Sequence, residues 1–180
     1  QSQVVDQVKA PKLVAADTMN FWINGSRPSL LKTLKRVNLL FVNDAEIRQL
    51  SGEHNIVKAA RAVHAMGPSR VVVKRGEHGA LLFDKEHIFA CPAFPLEEVF
   101  DPTGAGDTFA GGFMGTLATA GHLDPHVLRR AMVMGSVMAS FTVEKFSLER
   151  LREVSRSEIR ARFSEFKRLT HFDDLGPLEG

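Results

Sequence analysis

The stretch DPTGAGDTFAGGF, residues 101–113, places three small residues directly before an acid and a long apolar segment. Gly104, Ala105 and Gly106 leave the backbone accessible. A helix that begins near Ala105 presents unpaired N–H groups and the positive end of its dipole. Such a helix start favours an anion such as a phosphate oxygen. Asp107, in the first turn of that helix, would repel a permanently bound phosphate and therefore needs its own explanation.

Phosphoryl transfer explains this combination. A transferring phosphoryl group needs preorganised N–H donors, and the acceptor hydroxyl needs a nearby carboxylate that takes its proton. We therefore interpret the three small residues as an anion hole and Asp107 as a general base. The alternative is an ordinary glycine-rich turn with Asp107 as a helix-start residue, because short glycine patterns are weak evidence. Gly111 and Gly112 favour the phosphoryl-transfer interpretation over the ordinary turn. Glycine inside a helix costs up to ~1 kcal/mol of stability relative to alanine, and two such residues imply close packing against the helix.

Composition excludes several classes of protein. The chain has 180 residues, of which 44% are hydrophobic and 24% charged, as in ordinary globular domains. A formal net charge of +2 does not favour binding to nucleic acid or to a membrane surface. Cys91 is the single cysteine, so an internal disulfide is impossible. We expect it to be a small buried residue, in a protein of the reducing cytoplasm. No segment predicts a membrane span.

Apolar periodicity predicts alternating helices and strands. Strands are expected in residues 11–17, 38–43 and 70–76, and an antiparallel hairpin near 79–84 and 87–91. Helices are expected in residues 2–10, 26–37, 44–52, 55–67, 105–120 and 125–144, with a charged helical tail over 148–169. Ser26 or Ser29, and Asp44, are the predicted N-caps, and Gly52 is expected near a helix end.

This alternation predicts an α/β fold with a mainly parallel sheet that is covered on both faces. Ligands of such sheets bind beyond the carboxyl ends of the strands. Four candidate positions directly follow predicted strands: Asp17, Asn43, Gly76 and the stretch 101–107.

Three stretches together resemble one family. DPTGAGDTFAGGF is similar to the C-terminal signature of the PfkB, or ribokinase-like, sugar and nucleoside kinases. NDAE (43–46) resembles the family's Asn-x-x-Glu element, and KRGEHG (74–79) its nucleotide loop. The resemblance implies a ribokinase-like three-layer α/β/α fold with an antiparallel hairpin at one side. Residues 1–180 would be the C-terminal nucleotide-binding and catalytic part, and the N-terminal strands, the sugar-contacting Gly-Gly-Asn region and the β-sheet lid would be absent from this chain.

The resemblance also implies residue roles. Asp107 would be the catalytic base, and Gly104, Ala105 and Gly106 would form the anion hole. Asn43 and Glu46 would hold Mg²⁺, largely through water. Four further positions would serve ATP: Gly76 and Gly79 would allow its close approach, Ser136 would lie near adenine, and Lys74 would lie beside the nucleotide, where many members have threonine. Asp101 and Thr103 would help to bind a monovalent cation such as K⁺.

The implied function is transfer of the γ-phosphate of ATP to a hydroxyl of a small sugar or nucleoside, with magnesium-dependent binding of ATP between the 74–79 loop and the 101–107 stretch. The chain alone would be inactive if it is a fragment, and an exposed apolar patch would then favour association, for example as a homodimer. The alternative is a non-catalytic nucleotide-binding module or a regulatory relative. DTMN (17–20) replaces the Asp-Pro-Asn of many sugar kinases, so the acceptor stays open.

Structural explanations stand beside these roles. Asn43 would close a turn while Glu46 faces solvent. Gly76 and Gly79 would shape the hairpin, and Lys74 would be a solvated charge. For Phe21 and Trp22, core packing is favoured over a ligand contact.

Overall fold

The computed structural model describes residues 2–84, 87–174 and 176. It forms two compact units, Gln1–Ala93 and Phe94–Gly180. The first unit contains all the strands that the structure describes, and the second is helical.

The sheet of the first unit has five strands in sequential order. They are β1 (Ala15–Asp17), β2 (Leu39–Asn43), β3 (Arg70–Lys74), β4 (Ala80–Asp84) and β5 (Ile88–Cys91). β1, β2 and β3 pair in parallel, whereas β4 and β5 continue the sheet as antiparallel strands. The predicted α/β class and the hairpin are therefore confirmed. The parallel arrangement is confined to the first three strands.

Five helices of the first unit accompany the sheet. They are α1 (Ser2–Gln7), α2 (Asn20–Gly25), α3 (Arg27–Leu34), α4 (Asp44–Ser51) and α5 (Ile56–Met66), and a 3₁₀ turn covers Gly76–His78. The sequence did not predict α2. Ser26 occupies the N-cap position of α3, as one of the two predicted caps, but its side chain accepts no capping hydrogen bond.

The start of α4 corrects one prediction. Asn43, not Asp44, is the N-cap: its side-chain oxygen accepts from the Glu46 N–H at 2.8 Å, and Glu46 Oε2 accepts from the Asn43 N–H at 2.8 Å. This reciprocal pair is a capping box, which satisfies two otherwise unpaired amides. Gly52 ends the helix in the left-handed region at φ 77°, as predicted.

The core of the first unit lies where α2–α5 pack on one face of the sheet. Its buried residues include Ile23, Leu34, Leu40, Val42, Ile47, Leu50, Val63, Val71 and Val73. Leu39, Phe41 and Val72 point to the opposite face and are also buried. Burial on both faces explains why β2 and β3 are continuous apolar runs rather than alternating patterns.

Three single residues of the first unit test the sequence predictions. Cys91 is buried at the end of β5, as expected. Phe21 and Trp22 are 63% and 40% exposed, so the predicted core packing is wrong for both. They contact each other edge to face, with ring centroids 5.0 Å apart.

The described residues of the second unit form four helices: α6 (Ala105–Ala120), α7 (Pro125–Thr142), α8 (Glu149–Glu153) and α9 (Arg156–Leu169). α6 and α7 pack closely through glycine. A Cβ on Gly112 would lie 2.9 Å from Met138 Cγ, and one on Gly135 would lie 2.9 Å from the Phe109 carbonyl oxygen. The close packing predicted from Gly112 is confirmed. At Gly111 nothing in the described structure lies within 4 Å of such a Cβ, so the prediction is wrong there.

The charged tail was expected to be a single helix, but it forms two helices. Val154 has extended backbone, with φ −64° and ψ 126°, and ends α8. Ser155 then begins α9 with a capping box to Glu158. Nowhere in the described ranges is a helix both long and apolar enough for a membrane span.

Candidate functional site

Three polar side chains end the parallel strands of the first unit. Asp17, Asn43 and Lys74 are the last residues of β1, β2 and β3. Because parallel strands bring their carboxyl ends to one edge of the sheet, these side chains lie together, as predicted for Asp17 and Asn43. Lys74 Nζ lies 2.5 Å from Asp17 Oδ2. Lys74 is thus paired and only 17% exposed, and it is not a plain solvated charge.

Glu46 contributes a buried carboxyl to the same edge. Its relative exposure is 7%, so the expectation that it faces solvent is wrong. Burial raises the pKa of Glu46, and the negative charge of Asp17 acts in the same direction. The Asn43 amide and Lys74 partly oppose this increase. A buried carboxylate of this kind gains from a nearby cation.

A shallow cleft of about 280 Å³ opens beside this cluster. Its lining residues are Asn43, Asp44, Ala45, Lys74, Arg75, Gly76 and His78. Lys74 and Arg75 contribute positive charge. Gly76 has φ 55° and no described atom within 4 Å of the position of a Cβ, so the backbone there is open to a ligand. The cleft suits a polar, anionic group.

Gly79 has the predicted structural role in the hairpin, and its close approach to ATP stays a prediction. It has φ 81°, and a Cβ built on it would lie 2.1 Å from the Cys91 carbonyl oxygen. Gly79 is therefore required where β4 approaches the end of β5, and it does not line the cleft. The structural explanation by hairpin geometry accounts for this glycine.

The second unit contains the start of α6 as predicted. Gly104 is the N-cap, with φ 81° in the left-handed region. The Ala105 N–H donates to the Pro102 carbonyl at 3.2 Å, which removes one donor from the predicted anion hole. Among the described residues, no acceptor takes the amides of Gly106 and Asp107. These two amides are the donors that the helix start offers to an anion.

Asp107 is the third residue of α6 and is exposed. Within the described ranges, its carboxylate makes no hydrogen bond or ion pair. It therefore makes no capping hydrogen bond, and the favourable interaction with the helix dipole is the structural explanation that remains for an acid at this position. An accessible carboxylate beside unpaired amides is the arrangement expected of a base next to an anion hole.

The loop before α6 is held by hydrogen bonds. Asp101 Oδ1 accepts from the Thr103 N–H at 2.9 Å. Hydrogen bonds from the Thr103 backbone and side chain, with a smaller contribution from the Ser147 backbone, lower the pKa of Asp101. Its carboxyl is therefore ionised at neutral pH, as a cation ligand requires.

Two predictions on ligands stand outside these clusters. Ser136 is 7% exposed within α7, and its contact with adenine stays a prediction.

The described residues contain no group of three or more His, Cys, Asp or Glu placed to hold a metal ion. Mg²⁺ nevertheless fits, because it retains several waters and needs only one or two carboxylates with further oxygen donors. Glu46, Asn43 and Asp17 are such a set.

The sequence patterns missed the position of His78 in the cleft and the pairing of Asp17 with Lys74. Asp17 had been placed correctly after a strand. Its partner could not be inferred, because the contact joins residues 57 positions apart.

Comparison with known proteins gives a family match over most of the chain. The family described as pfkB family carbohydrate kinase matches residues 10–152. A cytidine kinase from Thermococcus kodakarensis is 41% identical over 90 residues, which are 49% of this chain and 32% of that protein. The chain therefore spans about a third of the length of this curated relative.

Solved structures agree. Aminoimidazole riboside kinase from Salmonella enterica, complexed with aminoimidazole riboside and an ATP analogue, has a TM-score of 0.72 and 26% identity. The match covers 84% of this chain and 52% of that one. A putative ribokinase II from E. coli, in complex with ATP and Mg²⁺, has a TM-score of 0.66 and 25% identity over 81% of this chain and 45% of that one. The predicted ribokinase-like fold is thereby confirmed.

Proposed function

The chain belongs to the pfkB family of carbohydrate kinases, and from this premise we propose that residues 1–180 are the nucleotide-binding and catalytic part of an ATP-dependent phosphotransferase. The reaction moves the γ-phosphate of ATP to a hydroxyl of a small sugar or nucleoside. The observation that carries the proposal is Asp107, an exposed carboxylate at the start of α6 directly beside two amides that find no acceptor among the described residues.

Asp107 acts as the general base. It takes the proton of the acceptor hydroxyl as the hydroxyl oxygen attacks the γ-phosphorus. The bond from that phosphorus to the β,γ-bridging oxygen breaks, and ADP leaves. The amides of Gly106 and Asp107 stabilise the negative charge on the transferring group, with Gly104 keeping the approach open. Because the Ala105 amide is already bonded, the hole has fewer donors than the sequence suggested.

In the first unit, Lys74, Arg75 and the Gly76 backbone bind the phosphates of ATP. Asn43 and Glu46, with Asp17, would hold Mg²⁺, which neutralises phosphate charge when bound. The raised pKa of Glu46 supports this role, because a cation would relieve the cost of its buried charge. Asp101 and Thr103 would serve a monovalent cation such as K⁺, and Ser136 the adenine.

The names of two relatives support a preference for one class of acceptor. The cytidine kinase and the aminoimidazole riboside kinase are both named for ribosides. We therefore favour a riboside acceptor over a free sugar. The ATP donor and the single cysteine support a cytoplasmic location.

Self-association is a further part of the proposal. Large apolar side chains are exposed in both units, among them Phe21, Trp22, Val99, Phe100, Phe146 and Leu148. Exposed apolar surface favours association, for example as a homodimer. Size-exclusion chromatography with light scattering across a range of concentrations tests this, and a monomer throughout would contradict it.

Two assays test the central proposal. Calorimetry measures ATP binding to the chain with and without Mg²⁺, and we expect binding that strengthens with Mg²⁺. A transfer assay then offers cytidine, other ribosides and free sugars with ATP, both to this chain and to a longer protein that includes it. Binding without turnover in every case would favour the non-catalytic alternative, and a folded chain without ATP binding would contradict both functions.

A further inference from the structure

Four charged side chains form a network at the end of α7. Glu144 uses its two oxygens for two different arginines: Oε2 accepts from Arg150 Nε at 2.7 Å, and Oε1 lies 2.6 Å from Arg162 Nη2. Arg150 also donates to Glu158 Oε1 at 2.6 Å. Glu144, Arg150 and Arg162 are only 16–23% exposed, so the two contacts of Glu144 are shielded from bulk water. We refer to Glu144, Arg150, Glu158 and Arg162 as the Glu144 network.

Both arginines of the network contact the last turn of α7. The Arg162 guanidinium lies 3.6 Å from the ring centroid of Phe141 and donates to Ser140 Oγ at 3.0 Å. The Arg150 guanidinium lies 5.0 Å from the same ring. Cation–π contacts at these distances stabilise a partly desolvated guanidinium. α8 and α9 are thereby fixed to the end of α7.

The same turn anchors the loop that leads to the anion hole. The carbonyl of Val143, directly before Glu144, accepts from the Phe100 N–H at 2.7 Å and the Asp101 N–H at 3.3 Å. Asp101 then accepts from the Thr103 N–H, and Gly104 begins the turn into α6. The residue that accepts the two hydrogen bonds of the loop is therefore the immediate neighbour of Glu144.

We infer that Glu144 is a positioning residue for phosphoryl transfer. By holding the end of α7, it fixes Val143 and the 100–104 loop, and so aims the amides of Gly106 and Asp107. The inference rests on the proposed function. Displacements of about 1 Å in a reaction site can cost about 10²-fold in rate, which makes such support consequential.

Glu144→Gln tests the inference sharply. Glutamine has one oxygen acceptor and one NH₂ donor, so only one of the two arginines keeps its hydrogen bond to residue 144. The amides at the start of α6 meet the γ-phosphate, which ADP lacks. We therefore expect the affinity for Mg·ATP to fall about tenfold and that for Mg·ADP to change less than about twofold, both measured by calorimetry.

A purely structural role predicts another outcome. A lower folded fraction reduces both affinities by the same factor, and correction for that fraction restores them. Equal changes for ATP and ADP, or no change, would overturn the inference. Glu153→Gln is the matched control, because Glu153 makes a similar ion pair of 2.6 Å with Lys145, with both side chains more exposed. It should leave both affinities unchanged.

Hydrogen exchange separates this inference from the proposed function. In the nucleotide-free chain, Glu144→Gln should accelerate amide exchange over residues 100–107 relative to Glu153→Gln. Unchanged exchange there would refute the positioning role even if the wild type binds ATP. If the wild type does not bind ATP, the proposed function fails, and the exchange result alone decides whether Glu144 supports the loop. Should Glu144→Gln not fold, Arg150→Lys retains the charge and loses one of two contacts, and the same pattern is expected with smaller changes.

Discussion

Lys74 Nζ and Asp17 Oδ2 lie 2.5 Å apart and join the carboxyl ends of β3 and β1 across the intervening β2. Asn43 ends β2 between them, and Glu46 lies one turn further on. The edge therefore holds one lysine against two carboxyls, with a net negative charge when both are ionised. A divalent cation and a phosphate chain are the partners that such an edge would balance.

Lys74→Met tests whether this lysine serves the phosphates. The substitution keeps the apolar stem and removes the charge, so Mg·ATP affinity should fall by about tenfold or more, as expected for loss of a charge-assisted hydrogen bond. Stability should decrease by about 1 kcal/mol, because the ion pair between Lys74 and Asp17 is lost. Lys145→Met breaks the more exposed pair with Glu153 and is the control for nucleotide affinity. Normal ATP affinity in the Lys74 variant would exclude Lys74 from the site.

Glu46→Gln should stabilise the chain at neutral pH. Because the pKa of Glu46 is raised in the folded state, its ionisation opposes folding as pH rises above the ordinary value of 4.5 and through the folded pKa. Glutamine retains the capping role without the buried charge. Urea unfolding from pH 4 to pH 8 should show an advantage of the variant that grows with pH and is small at pH 4. A constant difference across this range would argue against the buried ionisation.

Glu158→Gln should show the opposite pH dependence. Hydrogen bonds from Arg150 and Ser155 lower the pKa of Glu158 from 4.5 to about 2. Its contribution to stability is therefore present above pH 4.5 and is lost as pH falls toward about 2. The variant should be less stable than wild type at pH 7, and the difference should close below pH 4. If the gap persisted at acidic pH, the loss would come from packing rather than charge.

Asp107→Asn should keep the shape of the helix start and remove the proton acceptor. In the longer protein that includes this chain, turnover should fall about 10²–10⁴-fold. ATP affinity should stay equal or improve, because a negative charge near the γ-phosphate is gone. Asp124→Ala is the contrasting control, since Asp124 caps α7 through the Val127 amide at 2.8 Å. It should lower the melting temperature without changing turnover per folded molecule. Near-normal turnover in Asp107→Asn would remove this residue from the mechanism.

Gly135→Ala and Gly115→Ala should change stability in opposite directions. A Cβ at Gly135 meets the Phe109 backbone at 2.9 Å, so α6 and α7 must move apart, at a cost of roughly 1–3 kcal/mol. Gly115 has no described neighbour within 4 Å of its Cβ position, and alanine there should add roughly 0.5–1 kcal/mol. Denaturant unfolding of both variants measures this, and equal effects would contradict the close packing of the two helices.

The order of strands and helices followed from local sequence, because buried parallel strands such as NLLFV and helices with apolar periodicity carry their own patterns. The role of Asn43 as the N-cap of α4 did not follow from local sequence. A residue that ends a strand and caps a helix satisfies both patterns, and Asn43 and Asp44 are both good caps. The split tail had a usable indicator, since Ser155 and Glu158 have capping-box spacing, but the charged helix pattern on either side concealed it.

The candidate site was predictable where it depends on neighbouring residues. The left-handed Gly104 and the start of α6 are local features of GAGD. Contacts between residues distant in sequence were not predictable, because they depend on how separate helices and strands pack together. Examples are the Asp17–Lys74 pair, the burial of Glu46 and the Glu144 network. The hairpin role of Gly79 was predictable from its position before β4, but its close packing against the Cys91 carbonyl depends on the pairing of β4 with β5.

The lone thiol of Cys91 offers a native reporter of fluctuations in the sheet. It is 3% exposed and lies at the end of β5, opposite Ala80 of β4. A thiol reagent can reach it only when this end of the hairpin opens, so the labelling rate at low reagent concentration measures how often that opening occurs. Gly79 is packed against the backbone carbonyl of Cys91. The labelling rate of Cys91 therefore monitors the strand pair that directly follows the Gly76 turn, without any engineered label.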